Sequence, residues 1–169
     1  MLINEQALNK EKFKNLFDRY FDSVRNYLLY RGADTDLATD IAQDVFMKIW
    51  DKQMLIDIDK AAGLLYKIAG NMFISLYRRK KVEINYLKSI ELVENVVSPE
   101  EQVQYEELRK KYLVALGKLT EKQRTVFLMS RMEGLKYQEI AKRLNISVKA
   151  VEKRMTVTLS ILKNELQQQ

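Results

Sequence analysis

The stretch that decides the fold covers residues 137–152 and reads YQEIAKRLNISVKAVE. Its apolar residues recur at the three- and four-residue spacing of an α-helix, first before Asn145 and again after Ser147. This pattern predicts a short helix, a turn over residues 145–147 and a last helix that reaches about Leu166. Ser147 carries the side-chain oxygen that caps such a helix. A short helix, a tight turn and a longer helix form a helix-turn-helix.

The last helix is predicted to have one apolar and one polar face. A wheel drawn at about 100° per residue groups six apolar side chains on one side: Val148, Val151, Met155, Leu159, Leu162 and Leu166. Opposite them lie Lys149, Lys153, Thr156, Ser160 and Asn164. Short polar and cationic side chains of this kind read base edges and phosphates, so the face predicts contact with DNA. The alternative is an ordinary solvated helix face.

The helix upstream of this motif has a clear start signal. Thr120 followed by Gln123 matches a capping box, which satisfies two backbone N–H groups at a helix start. The helix is expected to end near Gly134.

Three helices are predicted in the first half of the chain. The first runs from about Lys10 to Tyr30 and is ended by Gly32. The second is capped by Asp34 or Thr35, and the third covers 59–79. Three helices of this length predict a small bundle. Apolar residues predicted to face its core from the third helix are Ala61, Leu65, Ile68, Met72 and Leu76.

Composition agrees with an all-α fold. The 169 residues include five Gly and one Pro, too few for the many tight turns of a β protein. The absence of Cys and His excludes thiol nucleophiles, disulfides, Cys- and His-ligated metals and imidazole acid–base chemistry. No signal-peptide pattern and no apolar run long enough to span a bilayer is seen, so we expect a soluble, cytoplasmic protein.

The net charge of +6 is unevenly distributed. Residues 1–82 carry a net charge of +3, residues 83–107 of −6 and residues 108–169 of +9. The acidic segment contains the single proline, Pro99, and has poor hydrophobic periodicity, which favours a linker between two helical lobes. It is either a plain solvated loop, or an acidic tether that discourages non-specific binding of nucleic acid or mimics nucleic acid in a partner's basic groove.

Four cations, Arg78-Arg79-Lys80-Lys81, end the third predicted helix. They either complement the helix dipole or, with the aromatic residues upstream, bind single-stranded nucleic acid.

Three motifs, in this order, resemble the extracytoplasmic-function group of bacterial sigma factors, over nearly the whole chain. Residues 40–50, DIAQDVFMKIW, are similar to the helix of sigma region two that binds the clamp of the largest RNA polymerase subunit. Residues 65–71, followed by residues 77–79, resemble the promoter-melting helix. The segments 119–124, 137–141 and 147–152 resemble sigma region four.

The resemblance implies a domain plan and site residues. It implies region two over residues 10–82, an acidic linker over residues 83–107 and region four over residues 108–169. The implied core-binding residues are Asp40, Gln43, Asp44, Met47 and Trp50. Implied contacts to the minus-ten element are Tyr66, Lys67, Asn71, Tyr77, Arg78 and Arg79. Implied contacts to the minus-thirty-five element are Lys142, Arg143, Ser147, Lys149, Ala150, Lys153, Arg154 and Thr156.

Some positions depart from the family pattern. Gly70 stands where arginine is common, Ser75 where aspartate is usual, Lys136 replaces the usual Ser/Thr cap, and Ala150 replaces a frequent threonine. The sequence Val151-Glu152-Lys153 is most similar to sigma factors of the Bacteroidetes lineage, which are often paired with membrane-anchored anti-sigma regulators.

The resemblance implies a protein that is no enzyme and needs no cofactor or metal. Its implied partners are the polymerase core (the clamp of the largest subunit and the flap of the second-largest), promoter DNA and an anti-sigma factor. Two alternatives follow from the residues alone. One is a stand-alone helix-turn-helix regulator with an N-terminal interaction lobe, and the other is a helical protein-interaction module. An enzyme is disfavoured, because no Gly-rich phosphate loop or nucleophile–base pair is found.

Overall fold

The computed structural model describes residues 8–79 and 99–167, and those ranges contain seven α-helices and no strand. The all-α prediction is confirmed. The helices are α1 (Lys10–Arg31), α2 (Thr35–Asp51), α3 (Ala61–Arg79), α4 (Pro99–Gly117), α5 (Glu121–Met132), α6 (Tyr137–Leu144) and α7 (Val148–Gln167).

The ends of α1 and α2 follow from local chemistry. The side chain of Asn9 caps α1 by accepting the N–H of Lys12 at 2.8 Å. Gly32 ends the helix with φ at 107°, a left-handed conformation that glycine adopts without a Cβ clash. Asp34 then caps α2 by accepting the N–H of Leu37, also at 2.8 Å. Both predicted boundaries are confirmed, and of the two proposed caps for α2 the structure selects Asp34.

The N-terminal lobe is a three-helix bundle of α1, α2 and α3, as predicted. Its fully buried side chains include Leu16, Val24, Leu28, Ile41, Val45, Ile49 and Leu65. The third helix begins at Ala61, two residues later than predicted. The reason is that Asp57 accepts the N–H of Asp59 at 3.0 Å and caps a short 3-10 turn, Ile58–Lys60, in front of the helix.

The C-terminal lobe consists of α4 to α7, with buried side chains that include Leu116, Val126, Met129, Ile140, Val151 and Met155. Helix α4 begins inside the segment 83–107 that was predicted to be a linker. Pro99 is its first residue, where a missing N–H costs nothing. Residues 83–98 of the predicted linker lie outside the described residues.

The helix-turn-helix forms as predicted. Asn145 ends α6 in the left-handed region with φ at 53°, and the N–H of Ile146 reaches the carbonyl of Ala141 at 3.0 Å. Ser147 then caps α7 by accepting the N–H of Ala150 at 3.1 Å. The capping box of α5 is present, with Thr120 and Gln123 each accepting the other's backbone N–H.

Lys136 provides no side-chain cap for α6, as its departure from the family pattern implied. In its place, Glu139 accepts the N–H of Lys136 at 2.7 Å.

The predicted apolar stripe of α7 is partly wrong. Val148, Leu159 and Leu166 are 36%, 41% and 39% exposed, whereas Thr158 is fully buried. The hydroxyl of Thr158 donates to the carbonyl of Arg154 at 2.7 Å, so burial leaves no polar atom unsatisfied. The buried stripe therefore turns toward Thr158, and the ends of the predicted stripe face solvent.

The two lobes are docked on each other. Helix α1 packs against α5, and α3 packs against α6. Within the described ranges, no helix combines the length and the apolar character that a bilayer-spanning segment needs.

The conformation of Asn145 gives a test of the turn. The left-handed conformation is disfavoured for a residue that has a Cβ, and Asn tolerates this conformation better than Ala does. We expect Asn145→Ala to lower the free energy of unfolding by about 1 kcal/mol, and Asn145→Gly to leave it within about 0.5 kcal/mol. Urea denaturation followed by far-UV circular dichroism measures both. Equal losses in the two variants would show that the side chain of Asn145, and not its backbone conformation, stabilises the turn.

Candidate polymerase and nucleic-acid interfaces

Helix α2 presents a narrow exposed strip to solvent. The strip consists of Asp40, Gln43, Asp44 and Met47, whose spacing of three and four residues places them on one face. Met47 is 59% exposed beside two carboxylates, although a methionine is an apolar residue. The opposite face of α2 is fixed in the core by Ile41, Val45 and Ile49. A rigid helix therefore holds the strip in place.

Trp50 lies at the end of this strip and is half-buried. Its ring packs edge-on against the ring of Phe13, with centroids 5.0 Å apart. Phe13 in turn contacts Phe17 and Phe46. Trp50 is thus part of an aromatic cluster that braces α2 against α1, with one side left for a partner. The structure brings all five predicted core-binding residues together.

The outer face of α7 is as exposed as predicted. Lys149, Lys153, Thr156, Ser160 and Asn164 are all exposed, and Ser147 and Lys142 lie exposed at the N-terminal side of the same helix-turn-helix. Ala150 is half-buried. The face has the length and the polar character that entry into a major groove requires.

Two arginines that were predicted to contact the minus-thirty-five element do not join that face. Arg143 has only 20% of its side chain exposed, and its Nη1 lies 3.2 Å from Glu133 Oε2 and 3.1 Å from the hydroxyl of Tyr66. Arg154 is half-buried and lines a cleft of about 160 Å³ between the lobes, together with Arg31. Arg143 is therefore directed toward the lobe interface, where Tyr66 of the N-terminal lobe and Glu133 of its own lobe accept from its guanidinium.

The predicted minus-ten residues are placed in three different ways. Lys67 and Asn71 are exposed and line a second cleft of about 230 Å³ between α3 and α6. Tyr77, Arg78 and Arg79 lie in the last turn of α3, but their side chains are outside the described residues, as are Lys80 and Lys81 entirely.

Tyr66 is buried. Its ring packs 4.7 Å from that of Tyr27, and its hydroxyl donates to the carbonyl of Ser23 at 3.2 Å. Its contact with DNA stays a prediction, and in the docked arrangement its ring is not accessible.

Sequence reasoning did not find the contacts between the lobes. Arg124 is buried, and its Nε donates to the backbone carbonyl of Tyr30 at 3.1 Å. Arg31 Nε lies 2.5 Å from Glu121 Oε1. These two pairs join residues that are 94 and 90 positions apart in the chain, beyond the reach of any local sequence pattern. The one local signal is the position of Arg124, two residues before the apolar run 126–129 of α5.

Burial raises the pKa values of two ionisable groups near this interface. Desolvation raises the pKa of the Tyr66 hydroxyl, the charge of Glu133 adds to the shift, and Arg143 opposes it. Desolvation also raises the pKa of Glu133, against the charge of Arg143 and hydrogen bonds from Tyr30 and Arg143.

A helical bundle joined to a helix-turn-helix lobe, each with an exposed interaction surface, defines a two-lobed DNA-binding protein. Comparison with known families gives matches to "Sigma-70 region 2" over residues 16–83 and to "Sigma-70, region 4" over residues 109–156. The chain is 31% identical over 143 residues to the ferric citrate uptake sigma factor FecI of Escherichia coli, covering 83% of each chain. It is 27% identical to the ECF RNA polymerase sigma factor SigW of Bacillus subtilis, covering 94% of this chain and 90% of SigW.

This chain belongs to the sigma-70 family of RNA polymerase sigma factors, in its extracytoplasmic-function group. It directs the initiation of transcription by RNA polymerase. The role predicted from the resemblance is confirmed at this level.

Two solved structures share the fold. CnrH, in complex with the cytosolic domain of CnrY, aligns with a TM-score of 0.62 at 23% identity and covers 94% of this chain and 89% of CnrH. The sigma factor RpoE of Bartonella quintana, in complex with the anti-sigma factor NepR, aligns with a TM-score of 0.58 at 21% identity and covers 94% of this chain and 98% of RpoE.

The raised pKa of Glu133 gives a test by pH. The pKa of this carboxyl is higher in the folded chain than its ordinary value of 4.5. At a pH above 4.5, the folded chain therefore binds a proton at Glu133 more readily than the unfolded chain does. The cost of ionising Glu133 is therefore absent at low pH and grows as the pH rises through the raised pKa. We therefore compare the melting temperature of Glu133→Gln with that of the unchanged chain. The difference, variant minus unchanged chain, is expected to increase as the pH rises from about 4 to about 8. Paired thermal melts measure the difference, and a difference that stays constant or falls with pH would contradict the assignment.

Proposed function

We propose that this sigma factor binds the clamp of the largest polymerase subunit through the exposed strip of α2. The observation that carries the proposal is the match to sigma regions two and four in one chain, in the order that the family uses. The exposure of Met47 on the same face as Asp40 and Asp44 supports it, since protein interfaces favour an apolar anchor within a polar rim.

The C-terminal lobe is proposed to read the minus-thirty-five element with the outer face of α7. Lys149 and Lys153 are one turn apart and exposed, so both can reach one groove. Ser147, Thr156 and Lys142 flank them with further donors. Ala150, Arg143 and Arg154 complete the proposed site. The same lobe is proposed to bind the flap of the second-largest subunit, as region four does in the family.

The N-terminal lobe is proposed to hold the minus-ten element along α3. Lys67 and Asn71 are exposed for such contacts, and the cations Arg78 and Arg79 follow on the same helix. Stacking on an aromatic ring is the usual way to hold an unpaired base, which supports roles for Tyr66 and Tyr77. Because Tyr66 is buried beneath the C-terminal lobe, it can act only after the lobes separate.

Sigma factors direct the polymerase and are not themselves enzymes, and we infer the same of this chain, with a cytoplasmic location beside its polymerase. An anti-sigma factor is a further proposed partner. Support comes from two proteins of the same fold, CnrH and RpoE, each in complex with a second protein, which for RpoE is the anti-sigma factor NepR. A membrane anchor on that partner and a Bacteroidetes origin of the chain are inferred from sequence resemblance.

Charge reversal on α2 tests core binding. We expect Asp44→Arg to weaken binding to RNA polymerase core by roughly tenfold, because it places a cation within the proposed interface. Its melting temperature is expected to change little, because Asp44 is exposed. Fluorescence titration of the labelled chain with core measures the affinity.

The matched control for this experiment is Glu107→Arg. It makes the same change of charge on exposed α4, so its affinity for core is expected to stay unchanged. Equal losses in the two variants, or a loss that follows the melting temperature, would argue against the α2 strip as the interface.

Charge reversal on α7 tests DNA binding. We expect Lys149→Glu with Lys153→Glu to weaken sigma-dependent promoter binding by the holoenzyme strongly, with binding still measurable at low salt. If both lysines contact phosphate, the slope of log affinity against log salt falls by about two, one for each contact. Electrophoretic mobility shift at several salt concentrations measures both quantities.

Lys111→Glu, an exposed lysine on α4, is the control for this experiment and is expected to keep most of the binding. Unchanged binding by the Lys149/Lys153 variant would remove α7 as the DNA-reading helix.

A further inference from the structure

A cluster of cations borders the smaller cleft between the lobes. Its members are Arg31 of α1, Lys122 of α5 and Arg154 of α7, so three helices contribute one cation each. The only carboxylate that borders the same cleft is Glu121. Three cations and one carboxylate leave an excess of two positive charges around this cleft.

The single carboxylate is already paired. Arg31 Nε lies 2.5 Å from Glu121 Oε1, and Nη1 of the same guanidinium donates to the hydroxyl of Tyr27 at 3.1 Å. Within the described part of the chain, no ion pair joins Glu121 to Lys122 or to Arg154. The charges of Lys122 and Arg154 are therefore not compensated by the residues around the cleft.

Arg154 has no partner of its own. The residue is half-buried, yet its guanidinium makes no hydrogen bond and no ion pair with any residue that the structure describes. Withdrawing a charged group from water costs free energy unless an opposite charge replaces the water. A guanidinium in this position therefore favours an added anion.

The size and the charge of the cleft indicate a phosphate group. Pockets for drug-sized ligands are usually about 300–1,000 Å³, whereas this cleft has a volume of about 160 Å³. A phosphate monoester carries roughly −1.5 to −2 charges at pH 7, close to the excess of two, and a carboxylate carries only one. The planar fork of Arg154 matches phosphate oxygens, and Lys122 adds a compact point charge.

A second cleft adjoins the first and offers room for a group attached to the phosphate. It has a volume of about 230 Å³ and shares Tyr27, Arg31 and Leu144 with the smaller cleft. The exposed amides of Asn71 and Asn145 border it as well. An amide both donates and accepts hydrogen bonds, as recognition of the polar edge of a ring requires.

We propose that Arg31, Lys122 and Arg154 form a binding site for the diphosphate group of a small molecule, either inorganic pyrophosphate or a nucleoside diphosphate. The phosphates lie against Arg154 and Lys122, and a nucleoside, where one is attached, extends into the second cleft. Because the ligand binds only the folded chain, it raises the melting temperature. The inference does not rest on the proposed role in transcription.

Isothermal titration calorimetry of the full chain with sodium pyrophosphate tests the site. Arg154→Gln and Lys122→Gln each remove one positive charge and keep a polar side chain. The matched control is Lys110→Gln, because Lys110 is exposed on α4 and borders neither cleft. Circular dichroism confirms that each variant keeps its helices.

We expect the unchanged chain to bind pyrophosphate at one saturable site. Arg154→Gln is expected to bind roughly tenfold more weakly, since it loses charge-assisted hydrogen bonds. Lys122→Gln is expected to bind roughly threefold more weakly, because its ammonium is exposed to solvent. Lys110→Gln is expected to bind as the unchanged chain does.

Adenosine diphosphate and adenosine, titrated in the same way, distinguish the two sources of the diphosphate. Tighter binding of adenosine diphosphate than of pyrophosphate supports a nucleotide ligand that occupies both clefts. Equal binding of the two supports an inorganic anion in the smaller cleft.

Three results would overturn the proposal. The first is no saturable binding of pyrophosphate or adenosine diphosphate. The second is an equal loss in Lys110→Gln and Lys122→Gln, which would show that overall net charge, and not a site, attracts the anion. The third is binding of adenosine as tight as that of its diphosphate, which would show that the phosphates are not what the chain recognises.

Discussion

Helix α1 packs against α2 and α3 in its own lobe and against α5 of the other lobe, and the rest of the structure depends on this packing. Leu16, Val24 and Leu28 are fully buried and fix α1 within the N-terminal bundle. The last turn of the same helix carries Arg31 and the carbonyl of Tyr30, which bind Glu121 and Arg124 of α5. Because the apolar residues hold α1 in place, its polar end is presented to the second lobe at a fixed position.

This arrangement leaves the proposed interaction surfaces in different states. The α2 strip and the outer face of α7 are open to solvent and can be used at once, whereas Tyr66 on α3 is enclosed. A sigma factor must first join the polymerase and then open DNA, so the surface that is proposed to capture unpaired bases is needed last.

Local chemistry made much of the fold predictable from sequence. Several helix boundaries are set by groups within a few residues of the helix end. Thr120, Gln123 and Ser147 accept backbone N–H groups at helix starts, and Gly32 adopts the left-handed conformation that ends α1. The exposed faces of α2 and α7 were predictable for the same reason, since helical periodicity separates buried from exposed positions.

The features that could not be predicted from sequence depend mostly on contacts between helices that are distant in the chain. Tyr66 reads as an aromatic residue beside cations, but its burial comes from Tyr27 and Arg143. Thr158 reads as polar, but it is fully buried in α7, a helix that packs against α4, α5 and α6; its hydroxyl is satisfied within the helix by the carbonyl of Arg154. Gly70 reads only as a departure from the family pattern, and sequence does not show that Arg31 and Tyr27 of α1 lie against it. Pro99 was taken for a linker residue, although a first helical position suits proline equally well.

In vitro run-off transcription tests the central claim most directly, that this chain confers promoter recognition on RNA polymerase. Purified core is incubated with fragments of the source genome, with and without the chain, and the 5′ ends of the transcripts are mapped. Discrete start sites that appear only with the chain, and that share a pair of upstream elements at constant spacing, are the predicted result. Transcripts that are the same with and without the chain, under conditions in which the chain is bound to core, would contradict the account.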